Sequence, residues 1–189
     1  KINEIIIPVP KGNLDLLNPY LNNMSFNKEI KVIRGGSTRQ ESVEKGIKQV
    51  NNNSSLVCIH DAARPFLNIK VLEDLISSIK NQPVSNGYVV AEKVNSTIKK
   101  TNNMQIEETI SRDDVWLAQT PQAFKFKDII KIYRNIDNLD KFTDDSSIME
   151  RHNVYPKIIK SNFMNFKITT LEDYQIAKLI AEKIDKEFL

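Results

Sequence analysis

Short runs of β-branched and apolar residues alternate along this chain with segments in which apolar residues recur at helical spacing. This alternation is typical of a mostly parallel sheet flanked by crossover helices, so the pattern predicts an α/β fold. The predicted strands are residues 5–9, 30–34, 56–60, 87–91, 115–118, 155–160 and 166–168.

Three segments between or after these strands have the apolar period of a helix with one buried face. The recurring positions are Val43, Ile47 and Val50 in the first, Leu72, Leu75, Ile76 and Ile79 in the second, and Ala177, Ile180, Ala181, Ile184 and Phe188 in the last. Residues 170–173, Thr-Leu-Glu-Asp, resemble a capping box at the start of the last helix. We expect these apolar faces to pack on the sheet.

Residues 92–112 interrupt the alternation. Residues 94–99 and 104–110 alternate β-formers with polar residues around a turn at 101–103, which predicts a hairpin. The hairpin is too polar for a central position in the sheet and is expected to project as an arm. Such an arm either buries its apolar side against another subunit or remains exposed to solvent, and the pattern alone leaves both open.

Length and charge restrict the class of protein. The 189 residues suit one domain, 1–189, and they contain no internal repeat or linker. The net charge of +3 comes from 27 basic and 24 acidic residues spread along the chain, which argues against nucleic-acid or membrane partners. No apolar stretch approaches the ~20 residues of a bilayer span. The chain shows no signal-peptide pattern, and we expect a soluble protein.

The single cysteine, Cys58, lies in the apolar run 56–59. An intramolecular disulfide is impossible, and burial as a small hydrophobic side chain is expected. This cysteine usage fits a reducing cytoplasm, or a plastid-type organelle if the source is eukaryotic. The chain begins at Lys1 and not at a methionine, so we expect that something preceded it.

The most informative segment is residues 60–65, His-Asp-Ala-Ala-Arg-Pro, between an apolar strand and a helix. Ligands of open α/β sheets bind at the carboxyl ends of strands, so Asp61 is well placed for chemistry. A lone aspartate suits Mg²⁺, which completes its shell with water and substrate phosphates. The alternative is an aspartate that caps the next turn. His60 lacks a serine or cysteine partner at a recognisable spacing and is interpreted as structural.

Other polar segments allow either a binding or a structural interpretation. Residues 35–42, Gly-Gly-Ser-Thr-Arg-Gln-Glu-Ser, join a strand to a helix, as a ligand-binding turn or as an ordinary turn with a helix cap. Residues 120–122 are interpreted as a strand end and 143–147 as a helix start. The candidate cations are Arg64, Arg112 and Lys167. Lys167 either reaches a cleft as a phosphate partner or faces solvent.

Together these segments resemble the 2-C-methyl-D-erythritol 4-phosphate cytidylyltransferases and the similar ribitol-5-phosphate cytidylyltransferases. The resemblance covers nearly the whole chain, and its most diagnostic parts are residues 60–65 and 119–122. The matching segments are Gly35 and Gly36 with Arg39 and Ser42, residues 60–65, 111–113, 118–122, 143–144 and 166–169.

The resemblance implies a Rossmann-like nucleotidyltransferase fold and transfer of CMP from CTP to a polyol phosphate. Asp61 would hold Mg²⁺, and Lys167 would stabilise the α-phosphate. The cytidine pocket would be formed by Gly36, Arg39, Ser42 and Ala62, and Arg64 would be a further binding residue of the site. The family also implies a homodimer in which the 92–112 arm of one subunit reaches the site of the other, so that Thr97 and Arg112 bind the acceptor phosphate, with Thr120 and Thr143 lining the same cleft.

The chain departs from the family pattern at three places. Ser96 stands where an acid usually precedes the arm threonine, and Ser37 stands where an acid often follows the paired glycines. Family members also open with a strand, a glycine-rich loop and basic residues that hold the CTP phosphates, and no segment here matches them. We therefore expect a truncated or incompletely recorded copy of an active enzyme.

Two alternatives to the methylerythritol phosphate enzyme remain. The ribitol-5-phosphate enzyme catalyses the same class of reaction, and no feature of this sequence separates the two acceptors. A non-catalytic dimerisation module would retain the scaffold and the arm without binding CTP. The enzyme interpretation requires that Asp61, Lys167 and the 35–42 turn converge on one anion-binding pocket.

Overall fold

The computed structural model describes residues 2–22, 28–81, 87–136 and 139–187, in which strands and helices alternate as expected. The strands are β1 (Glu4–Val9), β2 (Glu29–Arg34), β3 (Leu56–Ile59), β4 (Tyr88–Lys93), β5 (Ile98–Asn102), β6 (Gln105–Ile110), β7 (Trp116–Lys125) and β8 (Lys157–Lys160). The helices are α1 (Leu14–Asn22), α2 (Arg39–Gln49), α3 (Ile69–Asn81), α4 (Phe126–Arg134), α5 (Asp145–Arg151) and α6 (Leu171–Glu187). Short 3-10 helices cover Leu139–Lys141 and Phe163–Asn165.

The described strands form three sheets. β1 and β2 pair in parallel, β5 and β6 form an antiparallel hairpin, and a mixed four-stranded sheet has the order β3-β7-β4-β8. Within that sheet β4 and β8 are parallel. The expected α/β class is confirmed, with helices packed around the larger sheet.

The chain divides into two compact units, Lys1–Ile59 with Ala123–Pro156, and His60–Gln122 with Lys157–Leu189. The first unit has an apolar core to which α4 contributes one face, because its buried residues recur at helical spacing. This core consists of Ile47, Ile59, Phe124, Phe126, Ile129, Ile132, Tyr133, Ile148 and Met149. The single domain 1–189 stays a prediction.

In the second unit the residues of β4 from Tyr88 to Ala91 are all buried, as expected for a strand covered on both faces. Helix α3 buries Leu75, Ile76 and Ile79, which confirms the periodicity seen in the sequence. The capping box of α6 is also present, since Thr170 Oγ1 accepts from the Asp173 N–H at 3.2 Å and the Asp173 carboxylate accepts from the Thr170 N–H at 3.0 Å. Phe188 lies outside the described residues.

The hairpin within residues 92–112 is confirmed, with its turn at residues 103–104 and not at 101–103. Asn103 and Met104 occupy the turn, both with positive φ, at 46° and 67°. A two-residue turn of this kind matches the right-handed twist of the paired strands. Met104 at the tip is 94 % exposed.

Three expectations about individual segments are wrong. Strand β7 does not end at 118 but continues to Lys125, because residues 119–124 are buried and this environment keeps the backbone extended despite Pro121. Residues 166–168 are not a strand, since they follow a 3-10 helix without joining a sheet. Cys58 is exposed and not buried, because its neighbours Val57 and Ile59 pack in the core of the first unit and alternation along β3 turns Cys58 to the other face.

Candidate active site

Residues 60–65 form a tight turn immediately after β3. The Arg64 N–H donates to the Asp61 carbonyl at 2.9 Å and closes the turn. The Asp61 N–H in turn donates to Thr120 Oγ1 at 2.9 Å, which attaches the turn to β7. The side chain of Asp61 is only 13 % exposed. The carboxylate is therefore held in a defined, largely buried position.

Two cations lie against the Asp61 carboxylate. Lys167 Nζ is 3.2 Å from Asp61 Oδ2, and Arg64 Nε is 3.9 Å from the same oxygen. The Lys167 side chain is 41 % exposed, whereas that of Arg64 is 13 % exposed. Lys167 is thus the cation of this pair that is more accessible to a ligand.

The segment that carries Lys167 is tied to the 60–65 turn by its backbone. The Ile168 N–H donates to the Ala63 carbonyl at 2.8 Å, and Arg64 Nη1 donates to the Asn165 carbonyl at 2.8 Å. Phe166 packs against Phe66 with ring centroids 5.8 Å apart. Although the segment is not a strand, Lys167 is exposed and its neighbours Phe166 and Ile168 are partly buried, the alternation that the sequence predicted.

His60 has both ring nitrogens engaged by the chain. Nε2 lies 3.0 Å from the Arg64 carbonyl and Nδ1 lies 3.1 Å from Thr120 Oγ1. A carbonyl only accepts hydrogen bonds, so Nε2 carries the proton, and Nδ1 accepts from the Thr120 hydroxyl. Partial removal from water lowers the pKa of His60, which favours this neutral ring. These contacts support the structural role expected for His60.

The 35–42 turn lies in the first unit and is closed by its own side chains. The Gly36 N–H donates to Ser42 Oγ at 3.0 Å, and the Ser37 N–H donates to Glu41 Oε2 at 2.6 Å. Thr38 caps α2 by accepting from the Glu41 N–H at 3.2 Å. At Gly36 a Cβ atom would lie 2.2 Å from Glu41 Cβ, so the turn requires glycine there.

Arg39 forms an ion pair that the sequence did not suggest. Its Nη2 donates to Asp145 Oδ2 at 2.8 Å, and the Asp145 side chain is fully buried. Tyr133 donates its hydroxyl to Asp145 Oδ1 at 2.6 Å, and burial raises the pKa of Tyr133. Asp145 lies in the segment 143–147, which the sequence analysis interpreted only as a helix start. That interpretation is confirmed, because Asp144 caps α5.

The remaining candidate residues are placed on exposed surfaces. Thr143 is exposed just before the cap of α5, and Ala62 is exposed in the 60–65 turn. Thr97 is exposed at the start of the arm. Arg112 is exposed at its end and donates through Nη1 to the Asn95 carbonyl. Arg112 is therefore fixed at the base of the arm, beside the segment that carries Thr97.

The family model of 2-C-methyl-D-erythritol 4-phosphate cytidylyltransferase matches residues 1–183. The chain belongs to this family. Among curated members, it is 38 % identical over 184 residues to the 2-C-methyl-D-erythritol 4-phosphate cytidylyltransferase of Caldicellulosiruptor bescii, covering 96 % of this chain and 79 % of that protein. The Alkaliphilus oremlandii enzyme of the same name is 37 % identical over 182 residues, covering 95 % and 76 %.

Solved structures of the cytidylyltransferase family have the same fold. The 4-diphosphocytidyl-2C-methyl-D-erythritol synthase of Anaerococcus prevotii superposes with a TM-score of 0.83 at 29 % identity, covering 96 % of this chain and 82 % of that chain. The Francisella tularensis 2-C-methyl-D-erythritol 4-phosphate cytidylyltransferase gives a TM-score of 0.74 at 26 % identity, covering 95 % and 99 %. The resemblance stated from the sequence is thus confirmed.

The cytidylyltransferase chain offers one carboxylate and not a metal cage. Within the described ranges no group of three or more His, Cys, Asp or Glu side chains is arranged to hold a metal ion. A single carboxylate at the end of a strand still fits Mg²⁺, which keeps several waters and takes phosphate oxygens from a nucleotide. In the part of the chain that the structure describes, no helix has the length and apolar character needed to span a membrane.

Proposed function

We propose that this chain transfers CMP from CTP to 2-C-methyl-D-erythritol 4-phosphate and releases pyrophosphate, a step of non-mevalonate isoprenoid biosynthesis. The observation that carries the proposal is the contact of Lys167 with Asp61 beside Arg64, in a chain of the cytidylyltransferase family. A cluster of one carboxylate and two cations suits a bound nucleotide phosphate with its metal ion.

In the proposed reaction, a phosphate oxygen of the acceptor attacks the α-phosphorus of CTP. A new P–O bond forms, and the bond from the α-phosphorus to the pyrophosphate oxygen breaks. The nucleophile is already anionic, so the protein has to align two anions and neutralise the charge that accumulates. Lys167 is assigned to the α-phosphate because it is the exposed cation of the cluster, and Arg64 supports it from a more buried position.

Asp61 is the residue that would hold Mg²⁺. The ion, when bound, would neutralise the phosphates and polarise them toward attack. Lys167 and Arg64 counterbalance the Asp61 carboxylate, so its charge is already compensated in the chain itself.

The remaining roles follow the family resemblance. Cytidine would be bound by Gly36, Arg39, Ser42 and Ala62, and the acceptor phosphate by Thr97 and Arg112 of a second subunit, with Thr120 and Thr143 lining the cleft. The rigidity of the 35–42 turn and the fixed position of Arg112 support these assignments, because binding groups that are already held lose little entropy. We further propose a homodimer through the 92–112 arm and a cytoplasmic location.

The test is a pyrophosphate-release assay of the full-length protein with CTP and Mg²⁺. Turnover is expected with 2-C-methyl-D-erythritol 4-phosphate as acceptor, and ribitol 5-phosphate is the comparison. Asp61→Asn should abolish Mg²⁺-dependent turnover, and Lys167→Ala should lower kcat by about 100- to 1000-fold. Lys178→Ala, which removes an exposed lysine of α6, is the control. Preferred use of ribitol 5-phosphate, or no turnover with either acceptor, would refute the proposal.

A further inference from the structure

The 3-10 helix before Lys167 ends in a buried asparagine that has no assigned role. Asn165 is 2 % exposed. Its Nδ2 donates to the Thr120 carbonyl at 2.8 Å and to Gln119 Oε1 at 2.9 Å. Its own carbonyl accepts from Arg64 Nη1 at 2.8 Å. One residue thus connects β7, the 60–65 turn and the segment of Lys167.

The orientation of this amide is determined by its partners. The Thr120 carbonyl only accepts hydrogen bonds, so Nδ2 and not Oδ1 faces it. Gln119 is oriented in the same way, because its Nε2 donates to the Asn162 carbonyl at 3.2 Å and to Glu92 Oε2 at 3.4 Å, which leaves Oε1 toward Asn165. Asn165 Oδ1 accepts no hydrogen bond from the described residues. The side chain therefore acts here through its donor group.

Both halves of the Asp61–Lys167 contact are thereby attached to neighbouring residues of one strand. The turn that carries Asp61 is held by the Thr120 hydroxyl. The segment that carries Lys167 is held by the Asn165 amide on the Thr120 carbonyl and on Gln119. Loss of the amide would detach the Lys167 segment from β7 and leave only its bonds to the 60–65 turn, while the attachment of Asp61 to β7 remained.

We propose that the side chain of Asn165 is a positioning group that keeps Lys167 on Asp61, and that it acts on the transfer step and not on CTP affinity. The effect on the transfer step rests on the proposed function, whereas the positioning of Lys167 does not. Buried groups that orient a reacting side chain typically contribute about 10- to 100-fold to activity. We expect an effect of about this size for Asn165.

The kinetic test uses the full-length protein. Asn165→Ala should lower kcat about 10- to 100-fold and change the KM for CTP by less than about threefold. Gln119→Ala removes one of the two acceptors of the Asn165 amide and should lower kcat by a smaller factor. This variant replaces Asn165→Ala in the test if Asn165→Ala fails to fold. Leu75→Ala, in the buried face of α3, destabilises the same unit without touching these bonds and should leave kcat near the wild-type value.

A double-mutant cycle separates positioning from general stability. If Asn165 acts through Lys167, Asn165→Ala should cost much less in a Lys167→Ala background than in the wild type. Equal costs in both backgrounds, or a kcat loss matched by Leu75→Ala, would overturn the proposal.

Crystal structures of the wild type and of Asn165→Ala provide a readout that needs no activity. The Lys167 Nζ to Asp61 Oδ2 separation should lengthen beyond about 4 Å in the variant, the limit of an ion pair. An unchanged contact in Asn165→Ala, or in Gln119→Ala where that variant replaces it, would refute positioning even if the enzyme proves active. Inactive wild-type protein with a lengthened contact would instead refute the proposed function alone.

Discussion

At Gly36 the backbone passes so close to Glu41 that no side chain fits. A Cβ at this position would lie 2.2 Å from Glu41 Cβ and 2.9 Å from the Glu41 carbonyl carbon. Neither atom is the flexible end of a side chain, so the backbone of the 35–42 turn would have to move. The glycine is therefore required by space and not by a positive φ.

Replacing this glycine gives the first prediction. Gly36→Ala should destabilise the protein by about 1–3 kcal/mol, the usual cost of forcing extra volume into a packed site, and should raise the KM for CTP. The matched control is Gly46→Ala within α2, where the added Cβ meets Pro8 Cγ at 3.4 Å, an ordinary contact. That variant should be stabilised by about 0.5–1 kcal/mol. Urea unfolding and CTP kinetics measure both, and equal behaviour of the two variants would contradict the prediction.

At the same scale, the sequence predicted the residues with distinctive chemistry and missed their buried partners. Asp61 was recognisable because it follows a strand within a diagnostic segment, and Lys167 because it is a cation between two apolar residues of a strand-like run. Asp145 and Asn165 were not, because Asp145 contacts a residue 106 positions away and Asn165 contacts residues 45 and 46 positions away. No local period reports such a contact. Only the burial of an otherwise polar residue could have indicated it.

Among the elements, α6 has a start that depends on one carboxylate. Asp173 accepts from the Thr169 N–H at 2.9 Å, the Thr169 hydroxyl at 2.8 Å and the Thr170 N–H at 3.0 Å. These hydrogen bonds, the Thr169 backbone bond first, lower the pKa of Asp173 from its ordinary value of 3.8. A lowered folded-state pKa contributes stability above the ordinary value, and this contribution is lost as the pH falls through the lowered pKa.

The second prediction follows from this cap. Asp173→Ala should lower the free energy of unfolding at about pH 7, and its difference from the wild type should shrink toward about pH 3 as the native carboxylate is protonated. Glu172→Ala removes the same charge from the same helical turn without these hydrogen bonds, so it should cost less. Urea unfolding at the two pH values provides the measurement. A pH-independent difference would show that the carboxylate charge is irrelevant to the cap.

The elements also show where sequence patterns fail. Periodicity located α2, α3 and α6, and on α2 and α3 the recurring apolar residues are buried or half-buried. The expected packing of the α6 face is wrong, because Ala177 is buried and Ile180 half-buried but Ala181 and Ile184 are exposed. The end of β7 was wrong because Thr-Pro reads as a strand end, whereas burial of residues 119–124 keeps the strand extended. Residues 166–168 have the alternation of a strand, yet they pair with none of the described strands. Alternation reports which side chains are buried, and hydrogen-bond partners decide whether a strand forms.

For the whole molecule, the arm carries the proposal of a homodimer. Ile98 and Ile110 are directly paired and so share one face, whereas Ile106 pairs with Thr101 beyond a register shift and lies on the opposite face. Ile106 is 60 % exposed and Ile110 is 39 % exposed. Lys99 and Thr109 form a pair on the opposite face. Exposed isoleucines on the 92–112 hairpin are a feature that a second subunit would cover.

The third prediction concerns assembly. The full-length protein should elute with twice the mass of one chain in size-exclusion chromatography with light scattering. Ile98→Asp combined with Ile110→Asp should give monomers, because charges on this face would have to be desolvated in the interface. Thr109→Asp, on the opposite face, should remain dimeric. A dimer that survives the double substitution would show that the arm does not hold the subunits together.

The attachment of two segments to adjacent residues of β7 has a consequence for thermal motion. The Asp61 turn is bound to β7 through the Thr120 hydroxyl. The Lys167 segment is bound to β7 through the Asn165 amide, which donates to the Thr120 carbonyl and to Gln119. A displacement of this part of the strand carries anion and cation in the same direction, so their separation changes little. When the sheet vibrates, we therefore expect Asp61 and Lys167 to move together, so that the distance between their opposite charges changes less than their positions do.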